Sequence, residues 1–333
     1  MFILSKLYKK FGKKGIAIVL IVFAIIAISS ISTTTIVSVQ EEKEYSQYVS
    51  DLENEYKTQR DEMLAALDTH LNENKKSEFM VYILDVGQGD CTLVVDGEDV
   101  MLIDAGNNED GKLIADFLQS MDIKEIDYLI GTHPHEDHIG GLDNIIETFD
   151  IGVLYMPDVE VDTYTYQEVI SAANEYGVKI VHPAVGDEWN VGDATCTVLS
   201  NSPVENFDDL NEWSIVLHVD TTGYDFLFMA DAQAANERAI MESGLNYRAD
   251  IFRASHHGSS DANSKVFLEA IRPKYSIISV GADNDYGHPH SNAVSILKQY
   301  SKFVRETRLF GSMLFKTSGV SKSINVSCNG MED

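Results

Sequence analysis

The chain has 333 residues, 44% of them hydrophobic, enough for one large domain or two smaller ones with a sizeable core. Its formal net charge is -28, and so acidic a surface argues against a broad electrostatic grip on nucleic acid, whatever it adds to solubility. Cys91, Cys196 and Cys328 are scattered, odd in number and free of any CxxC pattern, so they indicate neither a disulfide framework nor a cysteine zinc site.

Residues 1–14 carry Lys6, Lys9, Lys10, Lys13 and Lys14 and no acid, and residues 15–40 carry no charge at all. About 20 apolar residues cross a bilayer core, so this segment is long enough to span one. Lysines before it and Glu41, Glu42 and Glu44 after it predict an N-terminus in the cytoplasm and the remainder outside. A cleaved signal peptide is the rival reading, with Ser30-Ile31-Ser32 as its small-residue site. The missing Ala-x-Ala pattern favours an uncleaved, single-pass anchor in the cell membrane. Residues 41–77 are highly charged and contain neither Gly nor Pro. Tyr45, Tyr48, Leu52, Tyr56, Met63, Leu67 and Leu71 recur at helical spacing, with one gap near Gln59. This predicts a juxtamembrane stalk helix, able to pair copies of the chain as a short coiled coil and so to form a homo-oligomer. Residues 1–40 are thus expected as tail and anchor, 41–77 as stalk, and 78–333 as a globular domain.

Composition changes at Glu78. Residues 79–84 read as a strand, Asp85-Val86-Gly87-Gln88-Gly89-Asp90 as a Gly-rich turn, and 91–95 as a second strand. Asp96-Gly97-Glu98-Asp99 reads as a hairpin turn into a third strand, which ends at Asp104-Ala105-Gly106. A helix over about 111–121 precedes the apolar strand 126–131. Helices near 140–148 and 165–176 then alternate with strands near 152–156 and 178–182. Strands follow near 194–199, 213–219 and 225–230. Two strand-helix units, 250–254 with 262–271 and 275–280 with 291–300, close the chain. Two β-rich sheets flanked by helices, an α/β sandwich, are expected.

The strand at 126–131 runs into Thr132-His133-Pro134-His135-Glu136-Asp137-His138. Four candidate metal ligands within six residues, at a strand end, are unlike a lone surface or core histidine. Imidazoles favour zinc-like ions, and a carboxylate among them suits a hard or borderline cation. His133 and His135 alternate and can point the same way. Asp137 and His138 begin the next turn and can face a second, displaced ion. Two ions need a bridging ligand, and Asp231 is the candidate because it ends the apolar strand 226–230. A helix N-cap is its plainer role, compatible with the first.

His256-His257-Gly258-Ser259 also follows an apolar strand. His257 is expected on the second ion and His256 beside it as a substrate or supporting group, with the two exchangeable. His288, in Gly287-His288-Pro289, could bind an ion, hydrogen-bond a substrate oxygen or protonate a leaving group, or be a plain loop histidine. His182 and His290 read as structural. His70 and His218 carry no assigned role.

These stretches resemble the metallo-β-lactamase superfamily. The ligand motif stands whole at His133, His135, Asp137 and His138, Asp104 matches that family's earlier strand-end aspartate, and Asp231 matches its bridging aspartate. A closer likeness is to the hydrolase domain of ComEC-type DNA-uptake proteins, over about residues 79–328. It is carried by residues 85–90, 102–106, the histidine cluster, Asn211 with Ser214, Ala230-Asp231-Ala232, 256–259 and Gly287-His288-Pro289. The chain also looks like the phosphorylcholine esterases of bacterial surfaces.

The resemblance implies an αββα sandwich and two divalent ions, zinc or manganese. It departs from the pattern where a third histidine for the first ion is usual: Asp209, Asn211 and Ser214 stand there instead, and Ala230 replaces the usual glycine before the bridging aspartate. The polytopic segments of ComEC proteins have no counterpart, so DNA transport is not implied. Asp137 is expected to hold the nucleophile as well as an ion, with His256 and His288 as further catalytic groups. Asp85 and Asp104 are expected to orient imidazoles. Neither a Gly-x-Ser-x-Gly elbow nor a Gly-x-x-x-x-Gly-Lys loop is present. The leading expectation is a membrane-anchored, extracytoplasmic metal-dependent hydrolase of phosphodiesters, a nuclease included. Hydrolysis of another ester or amide is the second, and a non-catalytic ion-binding scaffold the third. DNA as substrate has the family likeness for it and the acidic surface against it.

Overall fold

A computed structural model describes residues 78–332, apart from Thr222, Asp283, 319–323 and 329–330. The expected anchor and stalk lie outside the described residues. Among those described, no helix is long and apolar enough to cross a membrane.

The chain opens with β1 (Glu78–Ile83), β2 (Thr92–Asp96) and β3 (Asp99–Ile103), each antiparallel to the one before. Gly97 makes the hairpin between β2 and β3 with φ 67°, a left-handed conformation that costs glycine nothing. Helix α1 (Gly111–Ser120) then crosses over to β4 (Glu125–Ile130), which lies parallel to β3. The short α2 (Glu136–Ile139) and α3 (Leu142–Thr148) lead to β5 (Asp150–Tyr155), and α4 (Tyr164–Tyr176) leads to β6 (Ile180–Val181). Both strands continue the parallel half of the sheet.

A second sheet holds β7 (Glu188–Val191), β8 (Ala194–Ser200), β9 (Val216–Asp220) and β10 (Asp225–Phe228), paired antiparallel. It continues in parallel pairing through β11 (Ile251–Arg253), β12 (Tyr275–Ile278) and β13 (Phe303–Glu306). Three further strands, β14 (Met313–Ser318), β15 (Ile324–Cys328) and β16 (Met331–Glu332), return to the first sheet, where β14 pairs with β1. The strand orders are β16-β15-β14-β1-β2-β3-β4-β5-β6 and β13-β12-β11-β10-β9-β8-β7.

The two sheets face each other across one apolar layer. Phe79, Val81 and Ile83 alternate inward from β1 and join Val94, Met101 and Ile130 of their own sheet. From the other sheet come Cys196, Val198, Leu217, Phe226, Phe228 and Ile277. Tyr82, between the inward residues of β1, points outward to the ring of Phe117 on α1 at 5.8 Å. The outer face of the second sheet presents Leu227, Met229 and Phe252 to a helical layer. That layer is α5 (Ala234–Glu242), α6 (Lys265–Ile271) and α7 (Ser291–Tyr300), contributing Ile240, Phe267 and Leu297. The layers are therefore helix, sheet, sheet, helix, the expected sandwich.

Three differences from the sequence expectation have physical causes. The helix expected from 140 starts at Leu142, because residues 136–139 form the separate turn α2. The strand expected from 213 starts at Val216, because Leu210–Trp213 forms a 3-10 turn capped by the Asp209 side chain. Strands β7, β13 and β14–β16 were not expected. β7, β13 and β16 have four residues or fewer, too short to set a period, β14 and β15 mix polar with apolar residues, and β14 pairs with β1 at the other end of the domain.

Phe226 is fully buried and its ring lies 5.7 Å from Phe79, 6.0 Å from Phe228 and 6.2 Å from Phe315, so it joins both sheets. Phe226→Ala is expected to cost about 3–5 kcal/mol in urea unfolding, while Phe207→Ala, at an exposed ring, stays within about 0.5 kcal/mol.

Candidate metal centre

The site is built at the carboxyl ends of parallel strands from both sheets, where irregular backbone leaves the rigid layers. On the first sheet, Asp104 follows β3 and organises the loop after β4. Its carboxylate accepts hydrogen bonds from the Thr132 backbone N–H at 2.8 Å and the Thr132 hydroxyl at 2.7 Å, and lies 2.8 Å from His138 Nδ1. The chain then turns through α2, so that His133 and His135 precede the turn while Asp137 and His138 lie on it. Gly140 permits the tight fit behind them: a Cβ there would meet the Asn107 carbonyl carbon at 2.3 Å.

On the second sheet, β10 runs into Met229-Ala230-Asp231 and β11 into Ala254-Ser255-His256-His257. Ala230, His256 and His257 all have positive φ, 47°, 51° and 49°. Such backbone costs a non-glycine residue of order 1–3 kcal/mol and persists only where tertiary contacts hold it. Here the Ala230 carbonyl accepts from the His256 N–H at 2.9 Å and from Arg253 Nη1 at 2.7 Å. Locally unfavourable backbone is thus fixed by bonds between adjacent strand ends.

The two sets of residues meet at Asp231, whose two carboxylate oxygens face different partners. Oδ2 lies 3.8 Å from His133 Nε2 and 3.7 Å from His256 Nε2. Oδ1 lies 3.3 Å from His138 Nε2 and 3.7 Å from His257 Nε2. His133 Nε2 is 3.0 Å from His135 Nδ1, and His257 Nε2 is 3.1 Å from Asp137 Oδ2. Donor atoms within 4.8 Å of one another therefore include the set His133, His135, Asp231 and the set Asp137, His138, His257. Of the sequence-predicted residues, His133, His135, Asp137, His138, Asp231 and His257 all fall in these two sets. His256 joins no such set among the described residues, but stands on the Asp231 oxygen that also faces His133. Asn211 Nδ2, from the segment 209–214, approaches its Nε2 at 3.5 Å.

The far side of three of these rings is tied down, which selects the nitrogen that faces inward. His138 Nδ1 lies on Asp104, His257 Nδ1 on the Ser279 carbonyl at 2.9 Å, and His256 Nδ1 on Asp261 at 3.1 Å. The inward atoms His138 Nε2, His257 Nε2 and Asp231 Oδ1 are buried and have no hydrogen bond among the described residues. A buried polar atom left so costs about 1–3 kcal/mol. Three of them sharing one space, with imidazole nitrogen and carboxylate oxygen as the donors, fit a divalent cation.

The electrostatics divide the imidazoles into those that stay neutral and those whose proton a bound cation would have to displace. Burial holds His133 well below its ordinary pKa and lowers His135, which keeps both imidazoles in the neutral, ligating form. Burial opposes charge on His138, but Asp231 and Asp104 outweigh it and raise that imidazole well above its usual value. Burial likewise opposes charge on Asp231, yet His138 and His257 hold it well below the carboxylate range. Asp137 is lowered too, with His257 and His138 overcoming its burial. His256 is raised, its burial outweighed by Asp261 and Asp231.

His288 borders the site, its ring centroid 5.4 Å from His256 and 6.2 Å from His257. Burial, with His256 and His257 nearby, pushes its pKa down to about 4. His182, His218 and His290 serve the backbone, at Met156 O (3.0 Å), Arg248 O (2.8 Å) and Ser260 N (3.0 Å). Asp85 belongs to the turn after β1, accepting from Gly87 N at 3.2 Å, whereas Asp104 reaches a ligand imidazole. Ser214 accepts from Asp231 N at 3.2 Å. Sequence reasoning missed Asp90 and Arg253 as neighbours of the site. The available signal was an arginine inside the otherwise apolar run 251–254, just before two histidines.

A profile of the metallo-beta-lactamase superfamily matches residues 84–282. ComE operon protein 3 of Bacillus subtilis (strain 168) is 30% identical over 258 residues, which are 72% of this chain and 33% of that protein. Recombination protein 2 of Haemophilus influenzae is 30% identical over 244 residues, 72% of this chain and 29% of that one. The chain thus spans about a third of the length of these curated relatives. The metallo-beta-lactamase fold protein YhfI from Bacillus subtilis superposes with a TM-score of 0.49 at 12% identity, covering 72% of this chain and 100% of that one. With the superfamily profile matching more than half of its length, the chain belongs to the metallo-beta-lactamase superfamily.

Proposed function

We propose that this chain is a metal-dependent hydrolase that uses two divalent cations, zinc or manganese, to cleave phosphodiesters. The observation that carries the reading is the division of Asp231: one oxygen faces His133, the other faces His138 and His257. His133 and His135 with Asp231 would hold one ion, and Asp137, His138 and His257 with Asp231 the other. Such a pair of ions, when bound, supplies Lewis acidity and a water of lowered pKa.

The residues around it have separate tasks. Asp104 keeps His138 turned so that Nε2 points inward. Asp137 positions the attacking water. His256, with Asp261 behind it, stands at the edge of the site, where it donates to a phosphoryl or leaving-group oxygen. His288 hydrogen-bonds a substrate oxygen as a neutral imidazole, which disfavours the sequence-based alternative in which it protonates the leaving group.

The likeness to competence proteins supports a nucleic acid phosphodiester as substrate. The acidic surface works against duplex binding, although bound cations reverse the sign locally. The lysine-rich start and the uncharged segment 15–40 support a single membrane anchor with the hydrolase domain outside.

Four measurements test this function. The full chain in detergent is expected to hydrolyse bis-p-nitrophenyl phosphate with added Mn²⁺ or Zn²⁺ and to lose that activity to a chelator, with restoration on re-addition. Turnover of a chromogenic cephalosporin or of p-nitrophenylphosphorylcholine in its place would transfer the site to another ester or amide. His135→Ala is expected to fall to background, and equal turnover by mutant and wild type would remove the assigned site. Asp104→Asn should retain the ligands but lose about 10–100-fold in metal affinity or activity. Metal at about 100 times its Kd should raise unfolding free energy by about 2.7 kcal/mol, and His135→Ala should lose most of that gain. For the anchor, the chain should stay in the membrane pellet after an alkaline carbonate wash, and release into the supernatant would refute a span at 15–40.

A further inference from the structure

Arg253 ends β11 with its side chain 3% exposed. Its Nη1 donates to the Ala230 carbonyl at 2.7 Å and the Ala254 carbonyl at 2.9 Å, and its Nη2 pairs with Asp90 Oδ2. Each end of this ion pair is anchored in a different sheet's machinery. Asp90 donates its N–H to the Asp137 carbonyl at 2.9 Å and accepts from Gly106 N–H at 2.8 Å, so it is locked to the histidine loop and to the turn after β3. Arg253 is locked to the carbonyls that shape the ends of β10 and β11. The donors of the candidate centre divide in the same way. His133, His135, Asp137 and His138 come from the first sheet, Asp231 and His257 from the second.

The guanidinium also occupies a place with the composition of a cation site. Asp90, Asp231 and His257 bring donor atoms within 4.8 Å of one another. Arg253 pairs with Asp90 and comes within 4.0 Å of Asp231 Oδ1, while His257 Nδ1, turned to the Ser279 carbonyl, is a 3.5 Å neighbour of Nη2 and not its acceptor. Gain in fold stability explains this poorly, since a buried ion pair is often no better than apolar residues of the same volume. Its geometry has another consequence. A planar cation that gives Nη1 to two carbonyls and Nη2 to one carboxylate oxygen fixes distance and angle together.

We propose that Arg253 is a positioning residue. Paired with Asp90, it is a built-in cation that clasps the two half-sites in metal-binding register before any ion arrives. This rests on the two-ion reading above. Without the clasp, an incoming ion has to draw the halves together itself, and affinity falls.

The test is calorimetric titration of the full chain in detergent with Mn²⁺ alone, well below the unfolding midpoint. Arg253→Met and Asp90→Asn are each expected to weaken Mn²⁺ binding about 10–100-fold, the range for residues that support ligands. The double variant should lose no more than the weaker-binding single one, because both remove one clasp. Arg253→Lys, which keeps the charge but lacks the planar fork that spans carbonyls and carboxylate, should fall between wild type and Arg253→Met. A merely structural role would lower the unfolding temperature and leave the affinity of the folded protein alone. If Arg253→Met does not fold, Asp90→Asn and Arg253→Lys carry the same comparison. Wild-type binding of two ions with unchanged affinity in the folded variants, or losses that add in the double variant, would overturn the clasp. Wild type that binds no Mn²⁺ would instead overturn the two-ion reading, and the clasp with it.

Discussion

A carboxylate 2% exposed, at the seam between two sheets that share no strand, is the point on which this structure turns. Asp231 could not remain ionised there alone, because burying a charge without partners costs several kcal/mol. Four imidazoles approach it within 3.8 Å, two on each oxygen. Much of the surrounding architecture serves that encounter. Ala230, His256 and His257 accept unfavourable backbone so that strand ends of the second sheet can turn toward it. Asp104 holds the loop of the first sheet from behind.

Precision of this kind needs rigid walls. Each sheet has an antiparallel half and a parallel half, and the site lies at the rim of the parallel halves. Between the sheets, Phe79, Phe226 and Phe315 interlock, and helices cover the outer face of the second sheet. Close packing makes the sheets move as units, so loops at their ends inherit a fixed separation. The loops that carry the candidate centre can be irregular because the layers beneath them are not.

Charge organises the same region on two scales. The chain as a whole is strongly acidic, and the centre itself gathers Asp90, Asp104, Asp137 and Asp231. Within this field one buried arginine supplies a permanent positive charge, and the imidazoles supply ligand nitrogen. Cations held at such a centre would reverse the acidic sign locally.

The histidine-aspartate cluster, its strand-end setting and the sandwich class were all legible in the chain. His133, His135, Asp137 and His138 are neighbours in sequence, and apolar runs such as 126–131 and 226–230 announce strands without outside help. Local chemistry also singled out Asp231 and His257, each directly after such a run. The side of Asp231 on which His256 stands was not legible, nor was the tie of Asp261 to that ring or the grasp of Arg253 on Asp90 across 163 positions. Strand β14 escaped for a like reason, since its partner β1 lies at the other end of the domain. Sequence by itself determined which residue types cluster and which segments leave the core, because short-range periodicity and composition encode both. Tertiary structure alone decided which oxygen meets which nitrogen and which cation compensates which acid, because those contacts join the two sheets and no local pattern records their register.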